Sequence, residues 1–137
     1  MIELNYFIYI YIHIMKDIQK RLFSFLFLCV GLRLFIVYLA KTDNKEHLRY
    51  MAVIALLPAI GFITIYLLDL RNTGPEVMGN KIWWNDLRPL HGCLYLLFAI
   101  YAFKGSNISW KILLFDVIIG LFSFLYYHSG QINCKYS

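Results

Sequence analysis

Charge is what this chain has least of. Only 15% of its 137 residues are charged, against 61% hydrophobic, where a soluble domain carries about a quarter charged. That deficit excludes an ordinary water-soluble fold, which needs polar faces that these apolar stretches do not offer. Cysteine is scarce too: Cys29, Cys93 and Cys134 are odd in number and lack CxxC spacing. They define neither a disulfide framework nor a zinc signature, so Cys29 and Cys93 are expected as small buried apolar residues within spans. No metal and no cofactor is expected, because the histidines and acids match no spacing such as HExxH. The net charge of +5 comes without a basic run or stripe, which argues against nucleic acid and for contact with anionic headgroups.

What is present is uninterrupted apolar sequence, in four runs: 22–40, 51–68, 90–103 and 110–127. At about 1.5 Å per residue the first, second and fourth reach roughly 27 to 29 Å, close to a hydrocarbon core of about 30 Å. The third is shorter and reaches full length if its helix starts near Trp83, with Trp83 and Trp84 in the headgroup layer. A soluble four-helix bundle would alternate apolar and charged faces, yet 51–68 contains no charge at all. The expected fold is all-α: a multi-pass membrane bundle of four transmembrane helices at about 22–40, 51–68, 84–104 and 109–128. The domain covers 15–128, followed by a polar tail at 129–137.

The connections 41–50 and 104–109 are short, with Asn107 or Ser109 a helix N-cap. The long connection 69–89 contains Thr73-Gly74-Pro75 and a candidate hairpin from Glu76 to Trp84 around Gly79-Asn80. Asn85 or Asp86 is then expected to cap the third helix, with Pro89 in its first turn. Mid-span Pro58 predicts a kink in the second helix. Residues 1–14 form a separate extension. Its Ile/Tyr alternation from Tyr6 to Ile14 is strand-like in a soluble protein, and is also what AT-repeat DNA encodes when read as codons. Translation from Met15 is one expectation and an interfacial segment the other.

Basic residues distribute as Lys16, Lys20, Arg21, Arg71, Lys81, Arg88 and Lys135 on one side, against Lys41, Lys45, Arg49, Lys104 and Lys111 on the other. Seven against five places both termini in the cytoplasm. Arg33 and Asp116 are the charges deepest inside the runs, roughly 9 to 12 Å from one membrane face. An unpaired arginine there costs roughly 2.5 to 3.5 kcal/mol, so the first and fourth spans are expected to pack with Arg33 paired to Asp116. The pair is either a static brace or a gate or proton relay. At the opposite face Asp69, Arg71, Glu76, Asp86, Arg88, His91 and His128 are expected to converge under Trp83 and Trp84, residue types suited to a metal site or acid–base chemistry. Trp83, Trp84 and Trp110 serve as interface anchors.

The stretch from Gly74 to Val77, then Lys81-Ile82-Trp83-Trp84-Asn85-Asp86-Leu87-Arg88-Pro89-Leu90-His91, then 95–103, resembles small uncharacterised four-span membrane proteins encoded by large DNA viruses of algae and protists. The resemblance covers about 15–128. It implies a viral or viral-like membrane setting and supplies no catalytic residue. The leading expectation is a non-enzymatic integral membrane protein in contact with the lipid bilayer and with a second copy or another membrane protein. The alternatives are a small transporter or channel subunit using Arg33 and Asp116, and a membrane-embedded enzyme at the 69–91 face.

Overall fold

The computed structural model describes residues 2–42, 44–73 and 81–135. The chain divides into two compact units, residues 1–32 and 33–137. The first contains α1 (Ile2–Ser24) and a π-helical stretch, Phe25–Val30, closed by Gly31 N–H donating to the Leu26 carbonyl. The Ile/Tyr alternation thus forms a helix. A lone strand has no neighbour for its backbone groups, whereas a helix satisfies them within the segment.

The second unit contains α2 (Gly31–Thr42, from Arg33 onward), α3 (Lys45–Leu67), α4 (Arg88–Phe103) and α5 (Ser109–Lys135). Among the described residues three helices are long and apolar enough to cross a membrane: Phe25–Thr42, Lys45–Leu67 and Ser109–Gly130. The expected third span, 84–104, is instead a 3-10 turn, Asn85–Leu87, followed by the 16-residue α4. At about 1.5 Å per residue α4 is roughly 24 Å long. Neither Asn85 nor Asp86 caps it: Leu87 stands at the cap without a side-chain bond, and Pro89 falls in the first turn. Pro58 lies inside α3, which continues through it as one helix.

Two helix ends share one geometry. After α4, Gly105 at φ +67 lets Gly105 N–H reach the Ala102 carbonyl at 2.9 Å and Ser106 N–H reach the Tyr101 carbonyl at 3.0 Å. This is a Schellman closure with glycine at its left-handed position. After α3 the same pair of bonds forms, Asp69 N–H to Tyr66 and Leu70 N–H to Ile65, with Asp69 at φ 51. Ser109 opens α5 but is fully buried, and Ser106 Oγ accepts from Ile108 N–H at 3.4 Å just before it.

α4 packs between α3 and α5. Leu48, Ala52, Ala55 and Ala59 put a buried seam of mostly small residues on α3, where backbones can approach closely. Gly92 of α4 fits against it: a Cβ there would stand 2.7 Å from Ile63 Cγ1 and 3.1 Å from the Ala59 carbonyl oxygen. Phe98, Ala99 and Ala102 complete that side, while Leu113, Val117 and Phe124 are buried on α5. Outside this core the large apolar side chains point outward, Leu57 at 73% exposure and Phe122 at 68%. An apolar exterior of this kind suits lipid, because water would charge its full transfer penalty on every such residue.

Candidate functional site

Asp116 is the most buried charged group among the described residues, 1% exposed. It lies seven residues into α5, about 10 Å from the helix start. Arg33 Nη1 donates to its Oδ2 at 3.0 Å, joining α2 to α5. The other oxygen, Oδ1, is hydrogen-bonded to His91 Nδ1 of α4. One carboxylate therefore ties three helices together. In that bond His91 Nδ1 donates when Asp116 is a carboxylate, which can only accept.

Space for this triad comes from Gly120, one turn further along α5. A Cβ at that position would stand 3.4 Å from Arg33 Nη1 and 3.7 Å from His91 Cε1. Phe62 of α3 closes the His91 side, its ring 6.2 Å from the imidazole and 6.2 Å from the Tyr95 ring. Arg33 retains 20% side-chain exposure, against 9% for His91. The guanidinium is the member nearest an exit.

His91 is thus away from the surface group where its position at the start of the third span had suggested it would lie. The remaining members of that group serve other ends. Asp69 occupies the left-handed position after α3 and is exposed. Arg88, 4% exposed, donates through Nη1 to the Arg71 carbonyl at 2.8 Å and to Asn85 Oδ1 at 2.7 Å. It holds the long connection to the start of α4. Asp86 is exposed. His128 Nδ1 donates to the Phe124 carbonyl at 2.9 Å, one turn back in α5, and its ring meets Trp83 edge-on. The two histidines therefore have separate partners, and no group of three or more His, Cys, Asp or Glu suited to a metal occurs among the described residues.

Trp83 stacks on Tyr127 with centroids 4.6 Å apart and planes at 9°, and Trp84 meets Trp83 edge-on at 5.4 Å. Beside them Ile82 is buried, its N–H bonded to the Asn72 carbonyl at 2.9 Å, next to an antiparallel bridge between Thr73 and Lys81. The connection is thereby fastened to α5. Glu76 and the Gly79-Asn80 turn of the expected hairpin lie outside the described residues. At the other end of α5, Trp110 lies beneath two ammonium groups, Lys41 at 5.1 Å and Lys111 at 5.9 Å from its ring centroid. Cys29 and Cys93, expected as buried, are both exposed.

No family model, curated protein or solved structure matches this chain. Its chemistry must therefore be argued from the triad. The first two members are legible in the sequence as charges at matching depth. The third is signalled only by a histidine one position before a glycine, His91-Gly92, where close helix packing brings the imidazole inward.

Proposed function

We propose that the chain is a four-crossing integral membrane protein with a structural or interaction role, braced internally by Arg33, Asp116 and His91. Three helices long and apolar enough to cross a membrane support the membrane setting. The reading takes α4 as the fourth crossing on the support of its antiparallel run beside α3, Gly92 lying against Ile63 near one end and Gly105 against Lys45 at the other. The basic-residue count favours termini and the 69–89 connection on the cytoplasmic side. The resemblance to viral four-span proteins suggests a viral-like membrane as the setting, and a second copy or another membrane protein is the partner this reading proposes.

The observation that carries a bracing role is the closure of the carboxylate. Both oxygens of Asp116 are taken by donors from the bundle itself, at 1% exposure. A path for ions needs polar groups that can exchange partners with water or cargo. The test is proton flux in liposomes that carry the purified chain and a pH-sensitive dye. Flux equal to that of empty liposomes is expected, together with an Asp116→Asn variant that unfolds more readily.

A second reading is favoured by one feature: His91 adds a titratable group to what would otherwise be a single ion pair. In that reading the triad is a proton site of a small transporter. Flux above background that disappears in a folded His91→Gln variant would put this reading first.

A further inference from the structure

We propose that Lys41, Trp110 and Lys111 form a site for the phosphate of an anionic phospholipid headgroup, at the face where α2 ends and α3 and α5 begin. The proposal rests on the membrane reading above and assigns that reading a specific lipid.

Lys41 lies in the last turn of α2 and Lys111 is the third residue of α5, yet both ammonium groups come to one indole, at 5.1 and 5.9 Å from its centroid. Either contact alone is favourable. Two like charges around one ring repel each other, and Lys111 also stands at the positive end of the α5 dipole, where a cation is disfavoured. Neither ammonium is paired with a carboxylate among the described residues. Lys45 adds a third cation, as the first residue of α3: its stem lies 3.5 to 4.0 Å from where a Cβ on Gly105 would stand. The acid facing this end among the described residues is Glu46, exposed in the first turn of α3. Charges and helix ends that repel when nothing is bound become mutually favourable around a phosphate.

The source of that phosphate is argued from what lies below the lysines. Tyr38 and Leu34 precede Lys41 by three and seven residues, and Phe115 and Phe122 follow Lys111 by four and eleven. At helical spacing each pair continues the face of its lysine toward the membrane interior, and all four are exposed. A headgroup held by the lysines would lay its acyl chains on these side chains. Trp and snorkelling Lys also belong at headgroup depth. A free phosphate would make no use of the apolar stripe.

The test uses the purified full chain in detergent with phosphatidylglycerol or phosphatidylcholine, and native mass spectrometry to read retained lipid. Preferential retention of phosphatidylglycerol is expected. Lys41→Gln with Lys111→Gln should reduce it about 5-fold per lysine, the equivalent of about 1 kcal/mol each, at unchanged helix content by circular dichroism. Lys41→Arg with Lys111→Arg should keep the preference, as should Lys81→Gln in the long connection 69–89. If the double Gln variant folds poorly, the exposed single variant Lys41→Gln carries the same prediction at half the effect on a logarithmic scale. Equal retention of the two lipids, or a preference that survives in a folded Gln variant, overturns the proposal. Displacement of the lipid by millimolar inorganic phosphate overturns it in favour of a soluble anion. Release of the chain from membranes by alkaline carbonate would instead refute the membrane reading itself.

Discussion

Replacing Asp116 by asparagine keeps the shape of the side chain and removes its charge, so the loss isolates electrostatics from packing. In the native bundle the carboxylate receives Arg33 at 3.0 Å and His91 on its other oxygen, at 1% exposure. Breaking one side of a buried charge pair costs about 3 to 5 kcal/mol, because the other charge is left without a partner. Arg33 keeps 20% side-chain exposure and can snorkel toward the headgroups, which draws the value to the lower end, about 3 kcal/mol. That is roughly a 150-fold loss in the folding equilibrium, at 1.4 kcal/mol per factor of ten. Unfolding in mixed micelles, followed by circular dichroism, reads it directly. Arg33→Leu should cost a similar amount by leaving the carboxylate with His91 alone. The double variant should cost clearly less than the two singles together, since the unpaired charges vanish with each other. The exchange of Arg33→Asp with Asp116→Arg should recover only part of the loss, because a guanidinium would then stand beside His91. An Asp116→Asn variant within about 0.5 kcal/mol of the native protein would refute the argument, as would strictly additive singles.

Four further outcomes follow from backbone and packing. Gly92→Ala should destabilise by about 1 to 3 kcal/mol in the same unfolding assay, because its Cβ would stand 2.7 Å from Ile63 Cγ1 and 3.1 Å from backbone at Ala59. Gly61→Ala, with nothing within 4 Å, should be neutral or stabilising by up to about 1 kcal/mol. Asp69→Gly should stabilise by about 1 kcal/mol, since φ 51 strains any residue with a Cβ; a loss of stability would mean that the carboxylate has a role beyond the turn. Arg88→Met should release the 71–73 and 81–88 backbone, with amide hydrogen exchange there accelerated roughly 10-fold or more, for the loss of two charge-assisted bonds worth about 1.5 to 3 kcal/mol each. Unchanged exchange would show that the Trp83 stack alone holds the connection.

Part of the Asp116 site is legible in the sequence because a membrane turns chain position into depth. Once apolar runs are taken as crossings, position along the chain becomes depth, and Arg33 and Asp116 fall at one level by counting residues. The same counting puts His91 at the surface, because the third apolar run opens at Leu90, one residue before it. The helix begins at Arg88, and its level is set by what it packs on. His91 lies twelve residues before Phe103, about 18 Å along α4, and Gly120 lies eleven residues after Ser109, about 16 Å along α5. The two meet side by side. Residues 6–14 alternate Ile with aromatic residues and still form part of α1, since alternation signals a strand only where a sheet can complete its backbone bonds.

By itself the sequence determined the helical class, three segments long and apolar enough to cross a membrane, and which two charges lie deepest inside the apolar runs. Each follows from composition and helical rise, which are properties of single segments. Only the tertiary structure decided which side chains share Asp116, that Asp69 serves a helix end, and that Lys41 and Lys111 meet at Trp110. Those are contacts between segments far apart in the chain, fixed by close packing at small residues such as Gly92 and Gly120 and invisible to any count along one helix.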